Sequence, residues 1–219
     1  MLRPLLHDAH DIPEPLRLGD LRFRKLLSND DWFALPQAVR KRFSKRLSNG
    51  ASVVYAGQVT EMRASFAGRV LSQLARLIGS PLPLFRDIHV PAVVTVTEDE
   101  RSGGQVWTRI YARHGGLPQV IHSAKRFAGP TGLEECVGGG VGMALTVAVE
   151  DGVLLFRSAG YFVQLFGRRI RLSRWLTPGA LTVSHVELGE GRFQFGLDIV
   201  HPWLGQLMHQ TAVFREVKP

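Results

Sequence analysis

The sequence predicts an α+β protein dominated by antiparallel β-structure. About ten short strands form a curved sheet or a closed or half-open barrel, with two N-terminal helices and one lid helix after the first strand. Three observations carry this expectation. Beyond Phe85, apolar and polar residues alternate with period two almost to the C-terminus. The breaks between the alternating runs hold turn chemistry, among them Asp151-Gly152, Gly167, Pro178-Gly179 and Gly189-Glu190-Gly191. No helical pattern separates successive strands after Phe85, which argues against βαβ crossovers and a parallel sheet. So many antiparallel strands must hide their edges, and closing or strongly curling the sheet does so.

The elements follow in order. Residues 1–20, with Pro4, Pro13 and Pro15, read as an irregular arm ahead of a single β-rich domain over 21–219. Phe23, Leu26 and Leu27 share one helical face, and Asn29-Asp30-Asp31 stops one helix and caps the next. Pro36 suits a first helical turn, with Val39 and Phe43 four residues apart on one face. Ser52–Arg63 alternates as a strand. Ser65 caps a helix ending at Gly79, with an apolar stripe of Phe66, Val70, Leu71, Leu74, Leu77 and Ile78 opposite Arg69, Gln73 and Arg76. Further strands are expected over Val90–Glu98, Gln105–Arg113, Gln119–Phe127, Glu134–Glu150, Val153–Phe166, Arg168–Trp175, Leu181–Leu188, Arg192–Val200 and Leu207–Val217. Asp151-Gly152 is the strongest hairpin signal.

Composition narrows the function classes. Hydrophobic residues at 45% against 21% charged are incompatible with wholesale disorder. A single cysteine, Cys136, leaves no disulfide framework and no cysteine-based zinc site. The first residues lack the apolar stretch of a secretory signal, and no run approaches a membrane span, so a cytoplasmic protein is expected, peripheral at the inner membrane face at most. The glycines of Gly138–Gly142 are followed by strand-like sequence rather than a helix, so they read as strand curvature and not as a phosphate loop. The eight histidines show no helical zinc-protease spacing; His201 and His209 approach each other only if 202–206 forms a hairpin loop, and no metal site is expected.

Two basic clusters stand out. Arg40, Lys41, Arg42, Lys45 and Arg46 form one; Arg168, Arg169, Arg171 and Arg174 form the other, and neither contains an acid. These nine side chains exceed the whole net charge of +8. Solvated positive faces are one reading, an anionic membrane surface another. Nucleic acid is disfavoured, because no recognition helix or stacking motif accompanies the charge.

The strand at Gln105–Arg113 places Trp107, Arg109, Tyr111 and Arg113 on one face. That face is either outward and snorkelling, or an inward lining in which Arg109 anchors an acidic head group and the aromatics hold an apolar body. His122 flanks it on the next strand, Trp175 joins the candidate ligand-binding set, and Glu134 and Glu135 supply a carboxylate.

The motifs Phe23-x-x-Leu26-Leu27, Trp32-x-x-Leu35-Pro36-x-x-Val39-Arg40, Val106-Trp107-Thr108-Arg109-Ile110-Tyr111 and Ile121-His122-Ser123 come in this order. Ser173-Arg174-Trp175-Leu176-Thr177-Pro178, Gly191-Arg192-Phe193-Gln194-Phe195 and His201-Pro202-Trp203-Leu204-Gly205 follow. Together they resemble an uncharacterised bacterial domain of unknown function, which in some proteins lies C-terminal to a saccharopine-dehydrogenase-like reductase. Met208-His209-Gln210-Thr211-Ala212 departs from the tyrosine-glycine strand usual there. The resemblance implies a reductase-like partner and carries no catalytic residues.

The leading expectation is binding of an apolar or amphipathic, lipid-like small molecule in a barrel cavity, with no cofactor. A cofactor-free isomerase, cyclase or dehydratase in the same cavity is the enzymatic alternative, with His122, Glu134, His201 or Tyr111 as acid/base groups. An anionic-membrane interaction module is the third.

Overall fold

Short-range signals build the N-terminal elements of the computed structural model, which describes residues 19–47, 51–79 and 81–217. Ser28 Oγ accepts from the Asp31 amide at 3.0 Å and opens α1 (Asn29–Ala34). Asp30 and Asp31 sit at the electropositive start of α1. Pro36 precedes α2 (Gln37–Phe43). Before α1 the chain makes only a 3-10 turn, Arg24–Leu26. The irregular arm expected over 1–20 lies outside the described residues except at its end. There Gly19 bridges to Lys45, and the Asp20 amide donates to Ser44 at 2.7 Å.

Strand β1 (Ser52–Ala64) leads into α3 (Phe66–Leu74), which tightens into a 3-10 turn over Ala75–Ile78 and stops at Gly79 with φ +95°. Ser65 caps α3 by accepting from the Gly68 amide at 3.1 Å. The remaining strands are β2 (Pro91–Asp99), β3 (Gly104–Tyr111), β4 (Gln119–Arg126), β5 (Glu134–Cys136), β6 (Val141–Glu150) and β7 (Val153–Leu165). Then come β8 (Arg168–Arg171), β9 (Ala180–Gly189), β10 (Arg192–His201) and β11 (Gly205–Val217).

All pairings are antiparallel, in the order β6-β5-β4-β3-β2-β1-β11-β10-β9-β7. β6 also pairs with β7, from Val141↔Val163 to Glu150↔Val153, and this closes a ten-stranded barrel. β8 is the extra strand. β7 pairs on one edge with β6 along its length, and on the other with β9 through Leu154–Arg157 and then with β8 through Phe162–Leu165, so β8 extends that edge as a hairpin beside the barrel.

Two expected strands are corrected. The run Glu134–Glu150 is two strands, not one, because Gly139 and Gly140 adopt φ of +64° and +74° and turn the chain back on itself. The glycines thus make a turn rather than a curved strand. The run Arg168–Trp175 is strand only to Arg171, and a 3-10 turn occupies Arg174–Leu176.

The two ends of the barrel differ. α1, α2 and the 3-10 turn before them plug one end, where Phe23 packs edge-on against Phe43 at 5.2 Å and Phe127 at 4.9 Å. α3 covers part of the other end, here called the mouth. Its seat is made of small residues: Gly68, Ser72 and Ala75 are buried. A Cβ on Gly68 would stand 1.9 Å from the Leu207 carbonyl oxygen. The expected apolar stripe therefore divides. Leu71 and Ile78 turn inward, but Phe66, Val70, Leu74 and Leu77 are exposed, because the closest approach to β11 belongs to the side without large side chains. No described helix is long and apolar enough to cross a membrane.

Candidate functional site

Ten strands enclose more than their own side chains fill. A cavity of about 490 Å³ lies between the plug and α3. Its walls are mostly apolar: Val94, Phe156, Phe195, Leu197 and Ala212 from the barrel, Leu71, Leu77 and Ile78 from the lid. Leu172, Leu176 and Pro178, from the segment after β8, close the opposite side of the mouth.

One wall is polar, and three adjacent strands build it. On β3, period-two geometry turns Trp107, Arg109 and Tyr111 to the cavity. On β4 the same alternation turns in Ile121, Ser123 and Lys125. On β5 it turns in Glu135 and leaves Glu134 outside. Register then brings the polar groups together, with Trp107 opposite Ser123 and Lys125 opposite Glu135. Lys125 Nζ donates to Glu135 Oε2 at 2.9 Å. Arg109 donates to Ser123 Oγ at 3.0 Å and to Glu135 Oε1 at 3.4 Å. Trp107 donates its indole N–H to Gln105 at 3.1 Å.

Burial alone would raise the Glu135 pKa, but Lys125, Arg109 and the Ser123 hydrogen bond outweigh it and hold the carboxyl at about 2. Burial lowers the Lys125 pKa despite the attraction of Glu135. The single carboxylate thus faces two basic side chains, Arg109 and Lys125. Tyr111 borders the cavity, and burial raises its pKa.

The other expected site residues lie elsewhere. His122 points outward from β4, where Nδ1 meets Thr108 Oγ1 at 3.0 Å, because it alternates with the inward Ile121 and Ser123. Glu134 is buried on the outer side of the wall and pairs with Arg169, which lies over the Phe162 ring at 3.7 Å. His201 caps a turn: Nδ1 accepts from the Trp203 and Leu204 amides at 3.3 and 3.4 Å. His209 lies opposite Asp198 and contacts it at 2.7 Å, so the two histidines do not meet. Among the described residues no cluster of three or more metal-ligating side chains occurs. Trp175 is outside the cavity and exposed, its ring tilted 33° against that of Trp203 with centroids 4.0 Å apart. Of the proposed acid/base groups only Tyr111 borders the cavity. Arg113 sits over Phe85 and faces Asp87 at 3.8 Å.

The basic clusters fall at opposite ends of the barrel. At the plugged end Arg42 pairs with Glu187 at 3.2 Å and covers the Phe193 ring at 4.0 Å, and Lys45 pairs with Glu216. Arg40 lies 5.5 Å from the Phe33 ring centre, while Lys41 and Arg46 are exposed. This first cluster is thus partly a set of struts, its acids supplied by distant strands. At the mouth end Arg168 and Arg171 are exposed.

Sequence reasoning missed Ser123 and Lys125. The signal was present: both fall on the same alternating face of β4 as Ile121. It also left Glu134 and Glu135 undivided, although neighbouring strand residues point to opposite sides.

A family described as "Domain of unknown function (DUF4166)" matches residues 35–214. No curated protein and no solved structure matches the chain.

Proposed function

The chain belongs to the family of domains of unknown function DUF4166, and we propose that it binds an apolar small molecule with an acidic head group inside the barrel. One observation carries the reading: a polar cluster with more basic than acidic groups lies on one wall of an otherwise apolar cavity of about 490 Å³. That volume is in the range of small-molecule sites. A buried charge without a partner is costly, and an entering carboxylate or phosphate offers Arg109 a charge-assisted partner. The aromatic walls take the apolar body. Cofactor-free acid/base catalysis draws less support, because His122, Glu134 and His201 do not converge on the cavity with Tyr111.

The test is a titration of delipidated protein with cis-parinaric acid and with its methyl ester. The acid binds at least tenfold more tightly than the ester, and Arg109→Gln removes most of that difference. Leu197→Trp, which fills the cavity, abolishes both. Equal binding by the wild type and Leu197→Trp overturns the reading.

A further inference from the structure

We infer that the mouth of the barrel is a docking face for an anionic lipid bilayer, through which the cavity exchanges its ligand. The inference rests on the cavity reading above and identifies where the apolar ligand is drawn from.

The first observation is a strained residue. Three hairpins turn through a two-residue loop with both central residues at positive φ: Asp151-Gly152, Phe166-Gly167 and Glu190-Gly191. Asp151 and Glu190 lie at the plugged end of the barrel. Phe166, with φ +48°, tips the β7–β8 hairpin at the mouth end and is fully exposed. A bulky residue in the left-handed region is unfavourable, and its ring gains no compensating burial among the described residues. A surface beyond the described barrel is where such a ring gains contact.

The second observation is the company it keeps. Trp175 and Trp203 come from separate loops, lie against each other with ring centres 4.0 Å apart, and are both exposed. Phe66, Leu74 and Leu77 are exposed on α3 and the turn that continues it. Leu74, Leu77 and Leu176 also line the cavity, so the apolar rim is continuous with the cavity interior. Exposed apolar rims of this kind mark interaction sites, and tryptophan suits the headgroup level of a bilayer.

The third observation is charge. Segments 65–79 and 160–179 hold Arg69, Arg76, Arg168, Arg169, Arg171 and Arg174 and no aspartate or glutamate. Glu134 takes up Arg169, Glu61 faces Arg63, Asp87 faces Arg113 and Asp198 meets the His209 imidazole, which leaves Arg69, Arg76, Arg168, Arg171 and Arg174 as the basic groups of these segments. Arginine interleaved with exposed aromatic and aliphatic side chains is the composition of an interfacial anchor on anionic lipid.

The experiment is flotation of the full chain with vesicles of phosphatidylcholine, alone or with phosphatidylglycerol, at low and high salt. Binding is expected to the anionic vesicles and to weaken with salt. Phe166→Asn suits the turn better than phenylalanine, and Trp203→Ser removes an exposed ring. Each is expected to cut vesicle partition at least tenfold, without altering solution binding of cis-parinaric acid. Vesicle binding that is absent at low salt, or unchanged by both variants, overturns the docking face. So does a dimer in sedimentation that the same variants dissociate, since a second copy then covers the rim. The solution titration keeps the two readings apart. Its failure with vesicle binding intact removes the cargo, and the reverse result removes the docking face.

Discussion

Lys125 Nζ and Glu135 Oε2 lie 2.9 Å apart inside the barrel, with both side chains almost completely withdrawn from solvent. Removing one partner leaves a buried charge without compensation. Glu135→Ala strands Lys125 and Arg109 together and is expected to destabilise the fold by about 3–5 kcal/mol. The double variant Lys125→Met/Glu135→Leu recovers part of this loss, because two apolar side chains fill the space without an ion. Urea denaturation of the three proteins checks the order; a single variant as stable as the double one contradicts it.

The same pair sets an acid limit. Glu135 is held at about 2, below its ordinary value of 4.5. A carboxyl depressed in the folded state contributes stability that is present above its unfolded pKa and lost as the proton is taken up. The contribution therefore fades as pH falls from about 4.5 towards 2. Unfolding midpoints measured from pH 5 to pH 3 should fall less steeply in the Lys125→Met/Glu135→Leu variant than in the wild type.

His185 gives a second pH dependence, at higher pH. It is fully buried, stacked on Phe193 at 4.9 Å, and its Nε2 stands 3.0 Å from Arg42 Nη1. Burial and then Arg42 push its pKa down to about 3. The unfolded chain takes up this proton near 6.5 and the folded chain does not. Stability is thus complete above about 6.5 and declines as pH falls below it, by up to about 1.4 kcal/mol per pH unit. His185→Phe keeps an aromatic ring beside Phe43, Phe193 and Phe195 and removes the proton site. The stability difference between variant and wild type should change in the variant's favour between pH 6.5 and 5; a constant difference rules the mechanism out.

The barrel was legible because strands and hairpins write themselves locally. The alternation in Gln105–Tyr111 fixes a strand, and Asp151-Gly152 fixes a turn, without knowledge of any neighbour. The inward sense of Arg109 was not legible, because an arginine on one face of a strand fits water equally well. Only the register that sets Glu135 beside Lys125 and Arg109 decides it. The same lack of neighbours hid the seat of α3. Sequence periodicity favours the large apolar stripe as the packed face, whereas the Leu207 backbone takes the glycine side. Closure by β6 with β7 depends on pairing strands whose hairpin is local but whose place in the ring is not.

Gly68 is the test of that seat. Its backbone lies against Leu207 so closely that a methyl group would reach within 1.9 Å of the carbonyl oxygen. Gly68→Ala gains helix propensity but forces α3 away from β11. The net effect is expected to be a loss of about 1–3 kcal/mol, the usual cost of overpacking. With the lid displaced, cis-parinaric acid should leave the cavity faster, with the dissociation rate rising and the association rate changing less. Stopped-flow displacement measures both; an unchanged dissociation rate shows that α3 does not gate the mouth.

Phe166 separates fold from function in the opposite direction. Its φ of +48° is a conformation that asparagine adopts more readily than phenylalanine. Its ring is fully exposed, so truncation removes no buried area. Phe166→Asn is therefore expected to leave stability unchanged or to raise it by up to about 1 kcal/mol, by relieving backbone strain. Thermal unfolding of the two proteins in the absence of lipid decides the matter. A lowered midpoint would mean that the ring packs within the protein, and the residue could not then be held at the mouth for an external surface. A raised midpoint leaves a residue that costs the fold stability, with its use lying outside the fold.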